Sequence, residues 1–61
     1  LFIFKLMEEL KQYVVDVVKS HPQHEEEIKG LYYLCLDEIE QGGSVEHEIS
    51  LCRSDIEELI C

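Results

Sequence analysis

Apolar residues recur at helical spacing in three stretches of the chain, and each stretch predicts a helix. In the first they step by four and three positions and stop at Ser20-His21-Pro22, where proline disfavours the helical region for the residue before it. We therefore expect helices at about residues 2–19, 22–41 and 45–60. The valines of the first helix are poor helix formers, so a strand is the alternative there, and the periodicity favours the helix.

A Gly-Gly-Ser elbow separates the second and third stretches. Glycine tolerates the left-handed conformation at a helix C-terminus and serine is a preferred N-cap, so Gly42, Gly43 and Ser44 are expected to end one helix and begin the next. Gly30 lies inside the second helix, where it either admits a neighbouring helix closely or has no packing role. Short connections join antiparallel neighbours, so the predicted fold is all-α: a single domain, 1–61, forming an up-down-up three-helix bundle.

The balance of charge narrows the classes of partner. The 61 residues include 14 acidic side chains and 5 basic ones, for a formal net charge of −9, and 46% of them are hydrophobic, which argues against intrinsic disorder. The first 20 residues are charge-balanced, so the excess of negative charge belongs to the second and third helices. Binding to a phosphate backbone needs clustered Lys and Arg. The composition therefore disfavours direct nucleic-acid binding and favours a basic protein partner.

No catalytic or cofactor-binding motif stands out in the chain. It has no glycine-rich nucleotide-binding loop and no nucleophile elbow, so we expect neither enzymatic activity nor a cofactor. His21, His24 and His47 lack the paired cysteines that structural zinc sites use, and no metal site is predicted. Cys35 and Cys52 fall on apolar stripes, where small buried thiols are expected. An odd cysteine count without Cys-x-x-Cys indicates reduced thiols and a cytoplasmic setting.

Four bulky apolar residues, Leu1 to Phe4, open the chain. They cannot all face the core of a small bundle, so we expect them to continue into further chain upstream, to cover a partner, or to contact a second copy. The run is too short for a membrane span, and no small-residue cleavage site follows it. The sequence therefore predicts neither a membrane segment nor a signal peptide here.

The candidate partner-binding residues combine this run with the acidic surface. We expect a basic partner to contact six carboxylates and two phenylalanines: Glu38, Glu40, Glu46, Glu48, Asp55, Glu58, Phe2 and Phe4. The elbow should bring the first four of these carboxylates near one end of the bundle. Two alternatives stay open, an acidic DNA mimic that inhibits a host nucleic-acid-binding protein and a small structural homo-oligomer formed weakly through the N-terminal helix.

The residues around the elbow resemble a known family. The most specific part is the run Asp-Glu-Ile-Glu-x-Gly-Gly-Ser-x-x-His-Glu-Ile at 37–49. It resembles small acidic helical proteins that T-even-type phages encode beside the recombination and repair DNA helicase UvsW, and the resemblance covers about Met7 to Ile60. It implies a small helical bundle that serves phage DNA recombination, replication or repair in the cytoplasm of an infected bacterium. Any ATP hydrolysis would belong to the helicase, and the resemblance supplies no catalytic residue for this chain.

Overall fold

Three α-helices form most of residues 2–61, the part of the chain that the computed structural model describes. Helix α1 spans Phe2–Ser20, α2 spans Glu25–Glu40 and α3 spans Val45–Ile60. The longest dimension is 31 Å, about the length of the 19-residue α1 at 1.5 Å per residue, so the helices lie side by side. The predicted all-α three-helix bundle is confirmed. Leu1, the first residue of the predicted apolar run, lies outside the described residues.

The second helix is shorter than its predicted span of 22–41. Pro22–His24 form a single 3₁₀ turn, and α-helical bonding begins at Glu25. The restriction that proline places on the preceding residue holds His21 at φ −132° and ψ 63°, outside the helical region. The tight turn leads into α2 without any side-chain cap. At the other end, Gln41 leaves the helix with a ψ of 7°.

The elbow between α2 and α3 is closed by the two hydrogen bonds of a Schellman motif. The Gly42 N–H donates to the Ile39 carbonyl at 3.0 Å, and the Gly43 N–H donates to the Glu38 carbonyl at 2.9 Å. Gly42 has a φ of +105°, which favours glycine. The Ser44 hydroxyl then accepts a backbone N–H of the first turn of α3 at 3.4 Å. Glycine ends one helix and serine begins the next, as the sequence predicts.

The hydrophobic core lies where the three helices meet. One large side chain from each helix is fully buried, namely Leu10, Ile28 and Ile56. Four further side chains, each 4–7% exposed, complete the buried set: Val14, Cys35, Ile49 and Cys52. Helix α2 packs most extensively against α3, and α1 lies against both. Each fully buried aliphatic side chain stabilises the fold by about 1.5–3 kcal/mol, and a domain this small has few of them.

Candidate partner-binding surface

A groove runs between α2 and α3 and takes all of its lining residues from these two helices. It consists of two depressions that share Leu31, Leu34 and Asp55 and therefore form one continuous surface. The lining residues lie within 27–38 on α2 and 48–59 on α3. We call this surface the α2/α3 groove.

The α2/α3 groove combines four leucines, two of them exposed, with carboxylates. Its leucines are Leu31, Leu34, Leu51 and Leu59. Its carboxylates are Glu27, Glu38, Glu48, Asp55 and Glu58. Leu34 is 56% exposed and Leu51 is 45% exposed, and no Lys or Arg lines the groove. The surface therefore offers apolar area to a partner inside a field of uniformly negative charge.

The structure divides the eight predicted partner-binding residues among different surfaces. Four carboxylates line the α2/α3 groove: Glu38, Glu48, Asp55 and Glu58. Phe2 and Glu46 line a separate depression between the start of α1 and the start of α3. Glu40 and Phe4 are exposed and line none of these three depressions. The carboxylates that flank the elbow thus belong to more than one surface, although they are close in sequence.

The sequence did not indicate that Leu34 and Leu51 belong to a partner-binding surface, and it left the role of Gly30 open. Leu34 and Leu51 each lie next to the main apolar stripe of their helix, and this surplus of apolar residues beside a filled stripe is the signal that could have identified them. No atom lies within 4 Å of the position that a Cβ would take on Gly30. A closely approaching helix therefore does not explain Gly30, which instead lines the open groove.

The two buried thiols join the helices that form the groove. The Cys35 Sγ on α2 donates to the Glu48 carbonyl on α3 at 3.4 Å, and the Cys52 Sγ donates back to the Leu31 carbonyl at 3.8 Å. Burial raises the pKa of both thiols, that of Cys52 to about 12. The thiolate is the nucleophilic form of cysteine, and a raised pKa disfavours it. Cys35 and Cys52 are therefore packing residues, as predicted, whereas Cys61 is exposed.

The basic side chains of α2 and α3 are engaged within the chain. The Lys29 Nζ lies 2.7 Å from the Glu25 carboxylate, and a hydrogen bond to that carboxylate raises the pKa of Lys29. The Arg53 guanidinium lies 4.7 Å from the centroid of the Tyr13 ring, which connects α3 to α1 through a cation–π contact. Neither cation lines the groove. Lys29 and Arg53 therefore do not neutralise the groove carboxylates, of which Glu27 contacts His24.

The three histidines do not form a metal site within residues 2–61. His24 Nδ1 contacts the Glu27 carboxylate at 2.9 Å, and this pair is exposed. No group of three or more His, Cys, Asp or Glu side chains among the described residues is placed to hold a metal ion. In the same part of the chain, no helix combines the length and the hydropathy that crossing a bilayer requires.

Comparison with protein-family models, with curated proteins and with solved structures found no match to this chain. The surfaces of the described residues are therefore the observations that bear on function. Among them, the α2/α3 groove is the one that combines exposed apolar side chains with a concentration of like charge.

Proposed function

We propose that this protein is a non-enzymatic interaction module that acts beside a DNA helicase of the UvsW kind, or another recombination protein, in phage DNA recombination, replication or repair. The observation that carries the proposal is the α2/α3 groove, in which leucines stand among carboxylates without a basic residue. A basic partner gains both from charge attraction, which speeds the encounter, and from burial of the leucines. The resemblance of residues 37–49 to small acidic proteins encoded beside UvsW supports the choice of partner.

The charge of the chain supports a protein partner over a nucleic acid. A net charge of −9 repels phosphate groups, and the three lysines of α1 are matched by three acidic residues in the same helix. A helicase binds DNA phosphates through Lys and Arg, so it presents the basic surfaces that an acidic module would recognise. The acidic chain then acts on the helicase, and ATP hydrolysis stays with the helicase.

A titration of the purified helicase with the chain, followed by calorimetry at low and at physiological salt, tests this function. We expect binding that weakens as salt rises, because charge attraction between exposed groups is screened. The double variant Asp55→Lys/Glu58→Lys should bind more weakly than Glu9→Lys/Glu57→Lys, which changes the net charge equally at two exposed positions outside the groove. No binding at low salt, or equal losses in the two variants, would contradict the proposal. Displacement of duplex DNA from its target by the chain would instead favour the DNA-mimic alternative.

A further inference from the structure

We infer that the α2/α3 groove binds a basic amphipathic α-helix of the partner. This inference rests on the proposed function for the existence of a partner, and it adds the chemistry of the bound segment and the site on this chain. The bound segment is a helix with an apolar ridge and with Lys or Arg on both sides of that ridge.

The length of the groove matches a short helix. The lining ranges 27–38 on α2 and 48–59 on α3 each extend about 16 Å at 1.5 Å per residue. A partner helix of about three turns covers that distance and presents apolar anchors at positions i, i+3 or i+4, and i+7. Leu34 and Leu51, on opposite sides of the groove, are the exposed side chains that such anchors would cover.

The distribution of charge specifies the flanks of the bound helix. Helix α2 contributes Glu27 and Glu38 to the groove, and α3 contributes Glu48, Asp55 and Glu58. Both sides are therefore acidic, so a helix whose apolar ridge enters the groove has its two flanks facing carboxylates. Lys or Arg on both flanks is the complementary arrangement, and acidic flanks would be repelled.

None of the three helices in residues 2–61 has this pattern of charge. Helix α1 has as many acidic residues as basic ones, and α2 and α3 are both strongly acidic. The single cations of α2 and α3, Lys29 and Arg53, already contact Glu25 and Tyr13. Charge complementarity therefore favours a different protein over a second copy as the occupant.

A synthetic peptide is the probe that tests this inference without the helicase. The peptide is a stapled amphipathic helix of about four turns, with leucines along one ridge and lysines on both flanks. Its binding to the full chain is followed by fluorescence anisotropy, and circular dichroism verifies that every variant is folded. A control peptide of the same composition has its leucines dispersed around the helix.

Matched variants locate the binding. We expect Leu34→Gln to lower the affinity for the peptide about tenfold, which corresponds to the loss of one exposed apolar anchor. Tyr33→Gln is its control, since Tyr33 is equally exposed on the same helix and does not line the groove. We expect Glu58→Gln to weaken binding about threefold at low salt and its control Glu57→Gln to change it less than twofold.

Each outcome of these titrations decides the matter. Equal binding of the control peptide, equal losses in paired variants, or a chain that self-associates through the groove until Leu34→Gln releases it would overturn the inference. Helicase binding that is insensitive to Leu34→Gln would also overturn it while leaving the proposed function intact. If the chain binds the peptide specifically at the groove but does not bind the helicase, the inference is upheld and the helicase is excluded as the partner.

Discussion

The Gly43 N–H donates a hydrogen bond to the Glu38 carbonyl oxygen at 2.9 Å, and a Cβ on Gly43 would lie 2.9 Å from that same oxygen. The Glu48 side chain also approaches this glycine, with its Oε2 3.1 Å from the same Cβ position. Glu38 on α2 and Glu48 on α3 both line the α2/α3 groove. The elbow therefore sets the separation of the two helices at one end of the groove.

Substitutions in the elbow should destabilise the fold for two different reasons. Gly43→Ala forces the backbone away from the Glu38 carbonyl, and we expect it to lower the free energy of unfolding by about 1–3 kcal/mol. An alanine at position 42 would meet no neighbouring atom, but the φ of +105° is unfavourable for a residue with a Cβ. We therefore expect Gly42→Ala to lower the free energy of unfolding by about 1 kcal/mol. Urea unfolding followed by circular dichroism measures both. A Gly43→Ala variant as stable as the parent chain would show that the close approach is absent.

Substitution of the third glycine, Gly30, should stabilise the fold. Gly30 lies inside α2 with no atom within 4 Å of its Cβ position, so Gly30→Ala gains helix propensity without a clash. We expect a gain of about 1 kcal/mol, which corresponds to a rise in Tm of about 4–8 °C for a domain of this size. Thermal unfolding of this variant beside Gly42→Ala gives the comparison. A lower Tm would indicate that α2 needs the smaller residue.

The buried thiols should make the fold sensitive to alkaline pH. Burial raises the pKa of Cys52 in the folded chain to about 12, while an unfolded cysteine titrates near a pKa of about 8.5. The folded state thus holds the proton more tightly, so this contribution to stability is complete below the unfolded pKa and is lost as pH rises from there towards 12. Burial also raises the pKa of Tyr13 and Tyr32, which acts in the same direction.

Urea unfolding under reducing conditions at a series of pH values measures this loss. We expect the free energy of unfolding to fall between about pH 9 and pH 11, and to fall less steeply in Cys52→Val than in the parent chain. Cys61→Val is the control, because Cys61 is exposed. Parallel slopes for Cys52→Val and the parent chain would contradict a raised pKa at Cys52.

The N-terminal phenylalanines should matter for association and not for folding. Phe2 is 66% exposed and Phe4 is 68% exposed, so Phe2→Ser/Phe4→Ser should change the free energy of unfolding by no more than about 0.5 kcal/mol. If they contact the partner as we expect, helicase affinity falls in this variant. Sedimentation of the isolated chain is the control. A dimer that the double variant dissociates would support the homo-oligomer alternative.

Local signals predicted the fold well, because each acts over a few residues. The elbow follows from the conformational freedom of Gly42 and the capping hydroxyl of Ser44, and the helices follow from apolar spacing. The 3₁₀ turn at Pro22–His24 was missed because proline is equally suited to the first turn of an α-helix. These are differences of one turn at a boundary, and they leave the architecture unchanged.

The groove could not be predicted in the same way, because it depends on where α1 packs. Leu34 and Leu51 are ordinary apolar residues beside the core stripes of their helices, and a fourth element could have covered them. Once α1 lies against the core side of α2 and α3, the two leucines remain exposed between acidic side chains. The acidic candidates were found from composition, while their division into separate surfaces needed the tertiary arrangement.

Methyl NMR of the leucine-labelled chain, titrated with the helicase, identifies which surface of the chain the partner contacts. We expect the methyl signals of the groove leucines to shift or broaden: Leu31, Leu34, Leu51 and Leu59. Leu10 is fully buried in the core and should be unchanged. Leu6 lines the depression beside Phe2 and reports on that separate surface. Changes confined to Leu6, or no change at any leucine at low salt, would contradict the assignment of the α2/α3 groove as the partner-binding surface.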